Sequence, residues 1–146
     1  MNLKLRNLLL LSCTFLLLGV SGTRAQENSA EDTVREFYQK YTAATIVKNK
    51  RMTQAAMKPY FTAAMLRKVV NTRDSDVVLQ AQDFELSWAE NIVIVGDDDN
   101  EGAETQYFFV TLKGVQMSQK LRITAKWDEN PNTGGWKISA IEMAGD

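Results

Sequence analysis

The hydrophobic period of this chain changes once, from 3.6 to 2, and that change restricts its fold more than any other feature. In the first half, Val34, Phe37, Tyr38, Tyr41 and Thr45 fall at i, i+3, i+4, i+7 and i+11. Arg35, Glu36, Gln39 and Lys40 fall on the other side. This spacing predicts an amphipathic helix of about four turns that lays two tyrosines on a core. Ser29-Ala30-Glu31-Asp32 opens it as a capping box, with Asp in place of Glu. Lys48 to Arg51 interrupts the pattern, and a short helical piece follows from Met52 to Met57. Pro59 suits the first turn of a further helix, where a missing N–H costs nothing. Phe61, Met65, Leu66 and Val69 make the stripe of that helix, which closes near Asn71. Thr72 to Asp76 is polar and turn-like.

From there side chains alternate. Gln80, Gln82, Phe84, Leu86 and Trp88 share one parity against Asp83, Glu85 and Ser87, which predicts a strand beginning near Gln80. Ile92 to Val95 is a short apolar strand, and Gly96 to Gly102 a turn. Thr105 to Leu112 is apolar on both faces and belongs in the centre of a sheet. Leu121, Ile123, Ala125 and Trp127 alternate with Lys120, Arg122, Thr124 and Lys126, a strand with one wet face. In Trp136 to Met143 the parity slips: Trp136 and Ile138 lie on one face, Ile141 and Met143 on the other. A bulge near Ser139-Ala140 accounts for that and bends the sheet. Helices followed by strands with short turns make an α+β fold, with N-terminal helices packed on an antiparallel sheet.

The first 25 residues have the layout of a secretory signal peptide. Lys4 and Arg6 form a basic start, Leu8 to Val20 an apolar run, and Thr23-Arg24-Ala25 the cleavage box. The run is shorter than the roughly 20 residues of a membrane-spanning helix. Cys13 lies inside it, too early for a lipoprotein box, and leaves with it. The expectation is an exported chain, periplasmic or secreted, with no stable membrane anchor and one domain from 26 to 146. That domain keeps 14 basic residues against 18 acidic, since Lys4, Arg6 and Arg24 precede the cut. An acidic domain without a basic cluster is a poor partner for nucleic acid.

The chain has no histidine, and its single cysteine is Cys13. Ser-His-Asp and Cys-His catalysis are thereby excluded, as is ordinary zinc, copper or haem ligation. The acidic runs at Asp97 to Glu101 and Asp128 to Asn132 do not complete a calcium loop. Their twelfth positions are Phe108 and Ser139, where a bidentate Glu is needed. No cofactor, metal ligand or catalytic residue is assigned.

Phe37-Tyr38-x-x-Tyr41, Asp74-x-Asp76, Ala81-Gln82-Asp83 and Gly135-Trp136-Lys137-Ile138 occur here in one order and spacing. Together they resemble the exported bacterial proteins of domain-of-unknown-function family 3828. The resemblance covers nearly the whole chain after residue 25. It implies a nuclear transport factor 2-like, cystatin-like fold, a strongly bent sheet around a long first helix. It also implies a periplasmic setting, and it is compatible with a homodimer. It carries no activity.

The candidate ligand-pocket residues are Tyr38, Tyr41, Asp76, Gln82, Asp83, Trp88 and Tyr107. Gln82, with Asp76 and a tyrosine, either lines a pocket at the open end of the sheet or ties a loop to nearby backbones. Polar groups of this kind satisfy turns so readily that the second reading is preferred, and Gln82→Ala is then expected to lower stability more than binding. Tyr38, Tyr41, Tyr107, Phe109, Trp127 and Trp136 either line an apolar cavity or pack the core, and core packing is the commoner role. The expected function is non-enzymatic binding of a small ligand or a periplasmic partner protein. Two alternatives stand beside it. One is an envelope accessory or immunity-type protein working by protein contact, whose sign is an exposed apolar patch. The other is a carboxylate enzyme, whose sign is a buried carboxyl with a raised pKa.

Overall fold

The computed structural model describes residues 28–48, 50–72, 76–98, 104–130, 132 and 134–145. The segment read as a signal peptide and Asp74 lie outside the described residues, as does most of the turn after Asp98. No helix among the described residues is long and apolar enough to cross a membrane.

The fold is α+β. Three helices, α1 (Ala30–Ile46), α2 (Lys50–Met57) and α3 (Ala63–Asn71), precede four strands. These are β1 (Ile92–Gly96), β2 (Thr105–Lys113), β3 (Ser118–Asp128) and β4 (Gly135–Met143). The strands form an open antiparallel meander in the order β1-β2-β3-β4. Helix α1 begins as its sequence dictates: Ser29 Oγ accepts from Asp32 N at 3.1 Å, and Asp32 Oδ2 accepts from Ser29 N at 3.3 Å. Its stripe of Val34, Phe37, Tyr38 and Tyr41 is buried against the inner face of the sheet. There it meets Phe108, Val110, Leu112, Leu121, Ile123 and Ile141 in one core.

Pro59 does not open α3. The helix starts later, capped by Thr62, whose Oγ1 accepts from Met65 N at 3.2 Å. The residues before it are held by β4 instead. Ile138 N donates to Tyr60 O at 2.7 Å, and Thr62 N donates to Ile138 O at 3.0 Å. Phe61 thereby pairs with Ile138 as a parallel bridge. This docking seats Tyr60 and Phe61 on the core before the helix begins.

The strand expected from Gln80 is absent. Asp76 Oδ1 accepts from Val78 N at 2.9 Å and from Leu79 N at 3.0 Å, so the side chain closes a turn where a ladder was expected. Gln80 then adopts φ 51, a left-handed conformation foreign to a strand. Leu86–Ala89 is a single 3-10 turn. It separates Leu86, 66% exposed, from fully buried Trp88, which alternation had placed on the same face.

The bulge falls where the parity slip puts it. Thr124 pairs with Ala140 and Ala125 with Ile138, so Ser139 is the extra residue. Ile138 and Ile141 consequently share the inner face and are both buried. Strand β2 is central, but its outer face is covered by cations. Arg122 Cζ lies 4.6 Å from the Tyr107 ring centroid, and Lys120 Nζ 5.0 Å from that of Phe109. The predicted wet face of β3 is thus the roof of a half-apolar one.

Candidate functional site

The seven candidate pocket residues do not converge. Tyr38 is fully buried, and its Oη donates to Val78 O at 3.2 Å. Tyr41 Oη donates to Asp76 Oδ2 at 2.8 Å. These three side chains join α1 to the turn at 76–80, where both Asp76 oxygens and the Val78 carbonyl already accept hydrogen bonds from the chain itself. Burial pushes both tyrosine hydroxyls upward, and the Asp76 charge adds to it. Gln82 and Asp83 are exposed on the chain leaving that turn. Trp88 is in the core, with Nε1 donating to Met117 O at 3.1 Å. Tyr107 is on the outer face of the sheet beneath Arg122. Among the described residues no fully buried side-chain nitrogen or oxygen lacks a partner.

Glu85 is a further polar anchor, set in the sequence only as the wet parity of a strand. Its carboxylate accepts from Val115 N, from Gln116 N at 3.3 Å and from Met117 N at 3.1 Å, and Ser87 Oγ donates to it at 2.7 Å. The Ser87 bond first, and then the backbone N–H groups, hold its pKa below the usual carboxylate range. Glu85 and Trp88 together fasten the turn between β2 and β3.

Open space lies elsewhere among the described residues. A cleft of about 800 Å³ is bounded by the first half of α1, the Pro59-Tyr60 segment and the ends of β3 and β4. Glu36, Tyr60, Trp127, Asp128, Trp136 and Lys137 are among its walls. The inward parity of β3 runs Leu121, Ile123, Ala125, Trp127. The first three are fully buried and the last only half-buried, because the cover stops short of the strand end. Trp136 is its register partner on β4. The two indoles meet edge to face, with centroids 5.6 Å apart and planes at 74°.

The opposite wall is set by a polar triangle. Lys40 Nζ lies 2.6 Å from both Glu36 Oε1 and Tyr60 Oη. It is 5.2 Å from the Tyr60 ring centroid, which puts it beyond the hydroxyl and close to the ring plane, so it bonds the hydroxyl without covering the ring face. The Lys40 hydrogen bond lowers the Glu36 pKa, and the same pair raises that of Lys40. Lys137 Nζ donates to Pro59 O at 2.6 Å. Asp128 Oδ1 accepts from Asn130 N at 3.1 Å and shapes the hairpin end. Gly135, opposite Asp128 in the ladder, has φ 108, a backbone shape reserved for glycine.

Part of this cleft is legible in the sequence. Trp127 and Trp136 were legible as inward aromatics at strand ends, with core packing as their commoner role. Glu36 and Lys40 read only as a solvated helix face, and Tyr60 had no pattern at all. Among the described residues no group of three acidic side chains is arranged to hold a metal ion. Comparison with protein-family models, curated proteins and solved structures finds no significant match to the chain.

Proposed function

We propose that this protein is a non-enzymatic binding domain for a small ligand, and that its site is the cleft at Trp127 and Trp136. The observation that carries this reading is the half-buried indole pair at the mouth of a cleft of about 800 Å³. That is the size of small-molecule sites, which combine aromatic walls with a few placed polar groups. Two tryptophans left half-covered forgo burial that a purely structural strand end would complete. A carboxylate enzyme needs a carboxyl whose pKa is raised. In the cleft, Glu36 is shifted the other way by Lys40, which favours binding over catalysis.

The resemblance to family 3828 and its nuclear transport factor 2-like cone belongs to the same proposal. It is supported by the motif order and by the bulge at Ser139, which bends β4. Export to the periplasm rests on the layout of residues 1–25. A second reading, contact with a partner protein, is favoured by Val93 and Val95, which lie exposed on the outer sheet face beside the edge.

The test is protein-observed NMR of the three indole N–H groups against a chemically mixed panel of cations, sugars and aromatic acids. Trp127 and Trp136 are expected to shift while Trp88, bonded to Met117 O, stays still. A folded protein whose Trp127 and Trp136 signals respond to nothing in the panel overturns the reading.

A further inference from the structure

Resting on that ligand-site reading, we infer that the cleft recognises a compact organic cation, an alkylammonium or quaternary ammonium group. The shape of the aromatic wall is the first reason. A nucleobase is flat and a sugar ring stacks through one broad C–H face, so each needs a broad ring face or two parallel ones. The indoles of Trp127 and Trp136 stand at 74° and form a corner. Because the edge of one indole covers part of the other's face, the pair offers a flat ring neither a broad platform nor parallel walls, and the angle left between them suits a compact group. Tryptophan is also the strongest cation–π partner, and partial burial strengthens the attraction.

Charge is the second reason. Glu36, Asp128 and Glu129 line the cleft. The ammonium of Lys40 is engaged by Glu36 and Tyr60, and that of Lys137 by the Pro59 carbonyl. Asp128 and Glu129 have no ion pair among the described residues. Lys40 offsets Glu36, and Lys137, which keeps its charge beside the Pro59 carbonyl, offsets one of Asp128 and Glu129, so an entering anion meets a rim of net negative charge. A neutral ligand gains nothing from the carboxylates as charges. A cation gains from both the rings and the rim.

Choline and its neutral carbon isostere, 3,3-dimethylbutan-1-ol, separate charge from shape. Protein expressed from the full chain is titrated with each, following the indole N–H signals of Trp127 and Trp136, with Trp88 as internal control. Choline is expected to saturate both signals, and the isostere to bind roughly tenfold more weakly. Asp128→Asn keeps an acceptor for Asn130 N and removes the charge. It is expected to weaken choline several-fold and to leave the isostere unchanged. Equal affinity for the two compounds, or saturation by a neutral sugar such as glucose without saturation by choline, overturns the cation inference and leaves the ligand site standing. Silence of both indoles toward all three compounds overturns the inference as well. Silence toward the whole mixed panel overturns the site with it.

Discussion

Tyr41 Oη donates to Asp76 Oδ2 at 2.8 Å, while Asp76 Oδ1 receives the backbone N–H groups of Val78 and Leu79. One carboxylate thus fixes a turn and joins it to α1. Tyr41→Phe leaves that carboxylate short of one donor, and is expected to lower stability by about 1–2 kcal/mol with the cleft unaffected. Urea unfolding measures the first and indole N–H titration the second. The pH dependence has a definite sign. Burial, then the Asp76 charge, raises the Tyr41 hydroxyl far above its usual value, whereas an unfolded tyrosine ionises near about pH 10. The stabilisation is complete below that pH and is lost as pH rises above it. Tyr41→Phe is expected to reduce the alkaline loss, with Tyr38 and Tyr60, raised for the same first cause, contributing to what remains.

Glu85 works at the other extreme of pH. Its folded pKa is lowered by Ser87 and by the backbone of the β2–β3 turn. Its contribution is therefore present above the unfolded value of about 4.3 and is lost as pH falls through the lowered folded value. Glu85→Gln is expected to be less stable than the wild type at pH 7, with the two converging in acid. Denaturant midpoints at both pH values check this, and a gap of constant size would contradict it. Gly114 belongs to the same contact, since a Cβ there would strike Glu85 Oε2 and Met117 O.

Gly135→Ala isolates backbone strain. An added Cβ meets nothing within 4 Å, but φ is 108. The expected loss is about 1–3 kcal/mol, measured by thermal or denaturant unfolding. A neutral result would mean that this hairpin end relaxes freely.

Deleting Ser139 probes register. Without it Ile138, Ala140 and Ile141 follow one another in plain alternation, so both isoleucines still face inward opposite Ala125 and Ile123 and the β3–β4 ladder becomes regular. The deletion is therefore expected to cost less than the roughly 2–5 kcal/mol lost when a core isoleucine is removed, as measured by denaturant unfolding. A loss of that full size would mean that one isoleucine has been turned outward, and would put the extra residue elsewhere than opposite the Thr124/Ala125 step.

Gln82→Ala is expected to change stability by less than about 0.5 kcal/mol, because the side chain is exposed and outside the turn network. This replaces the larger loss expected when Gln82 was placed in line with a core strand.

Local signals fixed much of the architecture. The capping box at Ser29, the buried stripe of α1, the central place of β2 and the bulge at Ser139 each depend on neighbours within a few residues, so periodicity and parity reveal them. The segment from Asp76 to Trp88 shows where that logic stops. Alternation favours a strand there, but one aspartate side chain captures two backbone N–H groups and Glu85 captures three more across the chain. Hydrogen bonds over 30 residues of separation leave no periodic trace. The cleft is hidden for the same reason. Trp127 and Trp136 can be read as inward-facing from parity alone. Whether an inward tryptophan is covered or left facing a cleft depends on where α1 and the Tyr60 segment end above it. Only the tertiary packing decides that, because cover is a property of the opposing element and not of the strand.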